Sequence, residues 1–219
     1  MTPRVAVWLG CAAPVRSMRW LDGAIAAGAR LGAATVVAAG APTWLDLAAE
    51  RATRTGLASA GVATDLLLDY LGWAHVVAAI ARQLEATTVL VDEASRPERT
   101  FEVAAIAELL GAAQLTHVVA IAPDPNQAVL HASRIAGNAL QSYRVRGTAV
   151  LGVRIASAAT EPATPAPGSP PTMRRLDLAA IGVDPIVLGH RTLPPSVLAP
   201  GSDRIAEQLA AHVVARGRP

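Results

Sequence analysis

The chain alternates short, wholly apolar runs with longer stretches in which apolar residues recur every three or four positions. After Arg4 the run continues apolar to Leu9, the pattern of a strand buried on both faces. Met18 to Leu31 carries Leu21, Ile25 and Ala29 at helical spacing. Ala34 to Ala38 predicts a second buried strand, closed by Gly40 and Pro42. Thr43 fits a helix N-cap, so Trp44 to Leu57 is expected to be helical. Leu66, Leu67 and Leu68, bracketed by Asp65 and Asp69, read as a short strand end. Gly72 to Leu84 predicts another helix, with Val76, Ile80 and Leu84 on one face. Thr87 to Val91 is a strand ending at Asp92, and the polar loop DEASRPERT follows it. Glu102 to Leu110 and Leu115 to Ile121 complete the series as helix and strand.

Such alternation predicts an α/β fold, a three-layer parallel sheet with helices on both faces. Ligands of these sheets gather at the carboxyl ends of the strands, near a switch in strand order. The candidate loops are therefore Gly10 to Pro14, Gly40 to Trp44 and Asp92 to Thr100. The grammar then breaks. From His131 to Val153 the chain, HASRIAGNALQSYRVRGTAVLGV, reads as two strands with turn residues between them, a short β extension. Residues 159–172, ATEPATPAPGSPPT, suit neither helix nor central strand, because proline fixes φ and lacks a donor. Asp203 to Ala215 predicts one last helix, with Ile205, Leu209 and Val213 on one stripe. The expected division is an α/β body over 1–157 and an extended C-terminal arm over 158–219, ending in that helix.

Composition narrows the function classes. The 52% hydrophobic content suffices for a large core, but at 3% aromatics it must be built from Ala, Val, Leu and Ile. All 19 basic residues are arginine, scattered along the chain, and the net charge is only +2. That pattern excludes nucleic acid as an expected partner. A single cysteine, Cys11, excludes an internal disulfide and a Cys-based zinc site. The N-terminal apolar run is too short, and carries Trp8 too centrally, for a signal peptide. No apolar run reaches the roughly 20 residues of a membrane helix. The expected location is the cytoplasm, with no direct membrane insertion.

No catalytic constellation stands out. The loops at Gly10 and Gly40 could bring backbone N–H groups to a phosphate, but the signal is weak and they read more readily as tight turns. Asp92, Glu93 and Glu98 accompany Arg96 and Arg99, either a ribose- or adenine-reading loop or a solvated run of compensating charges. His75, His117 and His131 lack ligand spacing, so no metal site is expected. No nucleophile elbow supports a hydrolase.

With these residues in place, the chain resembles the beta subunit of electron transfer flavoproteins. Arg134, Gln141 and Ala149-Val150-Leu151 fall at the spacing of the family's Arg, its acidic or amide residue and its Pro-Ala-Val-Val strand, with Thr148 replacing the proline. The segment AAIAELLGAAQLTHV is similar to the family's helix and strand after its adenylate loop. Arg174-Arg175-Leu176 resembles its basic cluster, and Gly182-Val183-Asp184 and Pro194-Pro195 resemble its terminal arm. The resemblance implies an adenine-nucleotide-hydrolase-like fold, a structural AMP, and an alpha-type subunit that makes most of the FAD contacts. It further implies a heterodimer taking electrons from a dedicated dehydrogenase, with no catalytic residues of its own. Cofactor contacts are then expected from Trp8, Leu9, Gly10, Ala39, Gly40, Asp92 and Thr100, with Trp20 facing the flavin.

The chain also departs from the family. Met18-Arg19-Trp20 stands where the family has Asn-Pro-aromatic, so only the aromatic is kept. Thr100-Phe101-Glu102-Val103-Ala104 replaces the Asn-Gln-Thr-Gly-Gln phosphate loop. Glu102 would repel a phosphate and Val103 lacks glycine's backbone freedom, which argues against AMP. The segment that docks acyl-CoA dehydrogenases is replaced by the proline-rich stretch, which argues against those clients. The alternative reading is a stand-alone adenine-nucleotide-binding module of the universal-stress type.

Overall fold

The computed structural model describes residues 4–10, 18–64, 66, 68–94, 99–124, 129–155, 172–183 and 188, without the side chains of 18–20. Among them run nine strands and four helices. In order these are β1 (Arg4–Trp8), α1 (Met18–Leu31), β2 (Ala33–Gly40), α2 (Pro42–Arg54), β3 (Ala58–Ala63), α3 (Tyr70–Gln83) and β4 (Thr88–Asp92). There follow α4 (Arg99–Leu110), β5 (Ala113–Pro123), β6 (Val129–Ala136), β7 (Ala139–Arg146), β8 (Ala149–Val153) and β9 (Arg174–Leu176). All strands join one sheet of order β7-β6-β5-β8-β4-β1-β2-β3-β9. Only β5–β6 and β6–β7 pair antiparallel.

The expected three layers follow from strand alternation. In β1, Val5 and Val7 enter one core, while Ala6 and Trp8 enter the other. The first core is closed by α1 and α2 through Leu21, Ile25, Trp44 and Leu45. The second is closed by α3 and α4 through Trp73, Val76, Ile80 and Ile106. A central strand with apolar residues on both faces can only be satisfied by helices on both sides.

Local chemistry moves several boundaries from those expected. Helix α2 starts at Pro42 with Ala41 as N-cap and no side-chain cap, so Thr43 lies inside the helix. Proline at the first position has no N–H to leave unsatisfied, and its fixed φ starts the helix. The helix ends at Arg54, and the next strand is β3, not the leucine run; Leu68 makes only an isolated bridge. Asp69 caps α3, its side chain accepting from the Gly72 N–H at 2.8 Å. Asp69→Ala is expected to cost about 1 kcal/mol, measurable as a shift in urea midpoint at constant m-value.

The stretch from His131 to Val153 holds three strands, where two were expected. β6 and β7 form a hairpin, while β8 returns to the sheet interior between β4 and β5. Arg134 faces Gln141 across the hairpin, its Nε donating to Oε1 at 3.1 Å. The Tyr143 hydroxyl donates to the same oxygen at 2.6 Å, and the Arg134 guanidinium lies 5.3 Å from the Tyr143 ring centroid. Arg174–Leu176 is an edge strand beside β3, a contact not expected of the arm. The proline-rich run up to 171 and the expected helix at 203–215 lie outside the described residues.

Candidate functional site

β1 is flanked by β2 and β4, reached through helices on opposite faces, so the sheet switches direction at the ends of β1 and β4. That is where an open α/β sheet leaves a crevice. Here the crevice holds an arginine. Arg99, the first residue of α4, is 2% exposed. Its Nη2 donates to the Leu9 carbonyl at 2.9 Å and its Nη1 to the Asp92 carbonyl at 3.1 Å. The Asp92 carboxylate lies 3.8 Å away. One guanidinium thus bridges the two strand ends and is neutralised by a buried acid.

Gly10 makes room for it. Its φ is +90°, and a Cβ there would stand 1.7 Å from Arg99 Nη2. The Gly10 carbonyl turns away to accept the Trp44 indole N–H at 2.9 Å, tying the β1 end to α2. Ala39 and Gly40 lie beside it, buried; Ala39 N–H reaches the Gly10 carbonyl at 3.4 Å, a weak bond. Trp8 is buried against Trp73, ring centroids 6.1 Å apart, and its indole N–H donates to Glu102 at 3.1 Å.

A second cluster adjoins the first. Glu93 is fully buried, and one of its oxygens accepts the backbone N–H of His117 at 2.7 Å. The other accepts the Thr100 hydroxyl. Arg154 Nη2 and His117 Nε2 stand 3.7 and 3.6 Å from that second oxygen. His117 has φ +59°, in a bulge where β5 spends an extra residue against β8 between Leu115 and Val118. Gly152 lets the carboxylate approach, since a Cβ there would be 2.7 Å from Glu93 Oε2. The rings of His117 and the guanidinium of Arg154 remain half-exposed, so their outer faces can bond an anionic group.

Of the expected site residues, Leu9, Gly10 and Asp92 converge on Arg99, and Ala39 and Gly40 border them. Trp8 and Thr100 instead bond to Glu102 and Glu93. Trp20 lies in α1, but its side chain is outside the described residues. The reading of Asp92, Glu93 and Arg99 as a solvated loop is overturned, since all three are buried. The order of charges gave no hint of this; the glycine before Cys11 was the available signal for a close approach. Arg154 and His117 were missed because neither spacing nor composition brings β5 beside β8. No group of three or more His, Cys, Asp or Glu suited to a metal occurs among the described residues. No described helix is long and apolar enough to cross a membrane.

Farther out, Tyr70 and Phe101 pack at 5.8 Å on the rim of a groove of about 490 Å³ along α4. Phe101 is 62% exposed, an unusual position for a large apolar ring.

Compared with known families, residues 20–181 match the electron transfer flavoprotein domain, more than half of the 219-residue chain. No curated protein matches the chain.

Proposed function

The chain belongs to the electron transfer flavoprotein domain family, and from that premise we propose that it is the beta-type subunit of a heterodimeric electron transfer flavoprotein. Members of that family are electron carriers, not enzymes with a turnover site. The family part of the reading rests on the match, which runs from α1 through β9; the beta-type part is our inference from residue spacing. The Arg134–Gln141 pair adds to it, because these residues stand at beta-type spacing and are hydrogen-bonded across the hairpin.

FAD in this reading is shared with an alpha-type partner that makes most of the contacts. In this reading the flavin stays outside the crevice at β1 and β4, where the buried Arg99 is bonded to both strand ends. The rim fits better: the half-exposed Arg154 and His117 offer donors to an anionic or carbonyl-bearing edge. When bound, FAD supplies the one- and two-electron redox chemistry. The chain's part is to cover the cofactor, limit water and present a surface to a dedicated dehydrogenase. Exposed Phe101, Ile135 and Leu140 supply apolar area for such contacts. Residues 158–219 act as the arm that embraces the partner, with Arg174–Leu176 fastening its base to β3. The complex works in the cytoplasm.

Co-expression with the adjoining open reading frame tests the reading. The expected product is a yellow complex of two chains whose flavin spectrum bleaches on reduction. A colourless monomer retaining adenine nucleotide would sink it in favour of a stand-alone module. A chain ended after Leu188 keeps β9 and is expected to stay folded by circular dichroism yet lose the partner. Normal pairing by that truncated chain would refute the role given to the arm.

A further inference from the structure

We infer that Arg99 takes the place of a nucleotide in this sheet, so that the chain holds no structural AMP. The crevice outside β1 and β4 is the position at which a doubly wound sheet receives a nucleotide. Among the described residues, the carbonyls of Leu9 and Asp92 at the two strand ends are both bonded to the Arg99 guanidinium. Those acceptors are the groups that would otherwise read an adenine amino group or a ribose hydroxyl. Among the described residues the space is taken as well: Arg99 is 2% exposed, and only a glycine at position 10 accommodates its Nη2.

The phosphate end is occupied in the same manner. A helix N-terminus attracts an anion because its first N–H groups are unpaired and its dipole is positive there. In α4 the first turn already carries a carboxylate, Glu102, which the Trp8 indole N–H holds at 3.1 Å. A phosphate brought to this helix would meet that charge, and beyond it the buried carboxylates of Asp92 and Glu93. A guanidinium against the carbonyl pair and a carboxylate at the helix start together reproduce, from within the chain, the contacts a nucleotide would make. The residues do not fit AMP.

This deepens the heterodimer reading only in naming the ligand excluded, and the two fail separately. The test is to purify the full chain with its partner, denature it and quantify the released nucleotides by chromatography. FAD is expected, with AMP far below one per chain. AMP, ADP and ATP added at millimolar concentration are expected to leave the thermal midpoint unchanged, because a ligand of the folded state must raise it. One AMP per chain, or a raised midpoint, overturns the inference even if the complex is yellow. A colourless chain free of nucleotide overturns the heterodimer and supports the filled crevice.

Discussion

Gly10→Ala is expected to lower stability by on the order of 3–5 kcal/mol, the scale for disrupting a buried, bonded charge. The new Cβ would coincide with Arg99 Nη2, 1.7 Å away, and φ at position 10 is +90°. Alanine tolerates that backbone poorly. Either the backbone shifts or the guanidinium leaves the Leu9 and Asp92 carbonyls, and Asp92 then keeps a buried charge without its arginine. At about 2–4 °C per kcal/mol for a chain of this size, the thermal midpoint should fall by roughly 6–20 °C. The double variant with Arg99→Ala makes the cause visible. Once the guanidinium is gone, the extra methyl has space, so the two costs should sum to more than the double variant shows. Additive losses in melting experiments would mean that Gly10 matters only for its backbone.

Glu93→Ala is the second large effect, about 2–4 kcal/mol by the cost of leaving two partly buried donors without their acceptor. The substitution strands the His117 N–H and the Thr100 hydroxyl. Arg154 and the His117 ring are half-exposed and can rehydrate, so their ion pairs add little to the loss. Glu93→Gln keeps the volume and one acceptor and should lose about half as much. The bulge at His117 depends on that acceptor, so its amide should exchange with solvent faster in Glu93→Ala than in the parent. A urea midpoint within error of the parent would show that water replaces the carboxylate without penalty.

The layered body was legible because parallel strands buried on both faces are written as unbroken apolar runs, as in β1 and β4. β3 escaped because ASAGVA has one β-branched residue, although Gly56, at φ +68°, marks the end of the helix before it. Its placement beside β2 is decided by packing, not by propensity. β9 escaped for a related reason: three residues, two of them charged, gain strand geometry only from an edge distant in sequence. The hairpin was half legible, since Gly137 and Gly147 mark turns, but nothing local says that Ala149–Val153 passes back into the sheet.

At the site, the strand-end rule correctly pointed to the neighbourhood of Gly10 and Asp92. It could not give the occupant. Charged residues in a loop are usually hydrated, and the burial of Arg99 and Glu93 arises only when β1, β4, β5 and β8 meet. Arg154 and His117 are separated from Glu93 by whole elements, so their convergence belongs to topology.

The place of β8 has a consequence for synthesis. Ala149 pairs with Thr88 on one side and Ala113 on the other, so the strand wedged between β4 and β5 is made after both of them and after the hairpin. Until it leaves the ribosome, two apolar strands wait with unpaired inner edges. Closing such distant pairs is slow, and open edges invite association with other chains. A ribosome stalled inside the hairpin would therefore expose a half-sheet with open inner edges, the kind of species that chaperones bind, until β8 emerges and closes the centre.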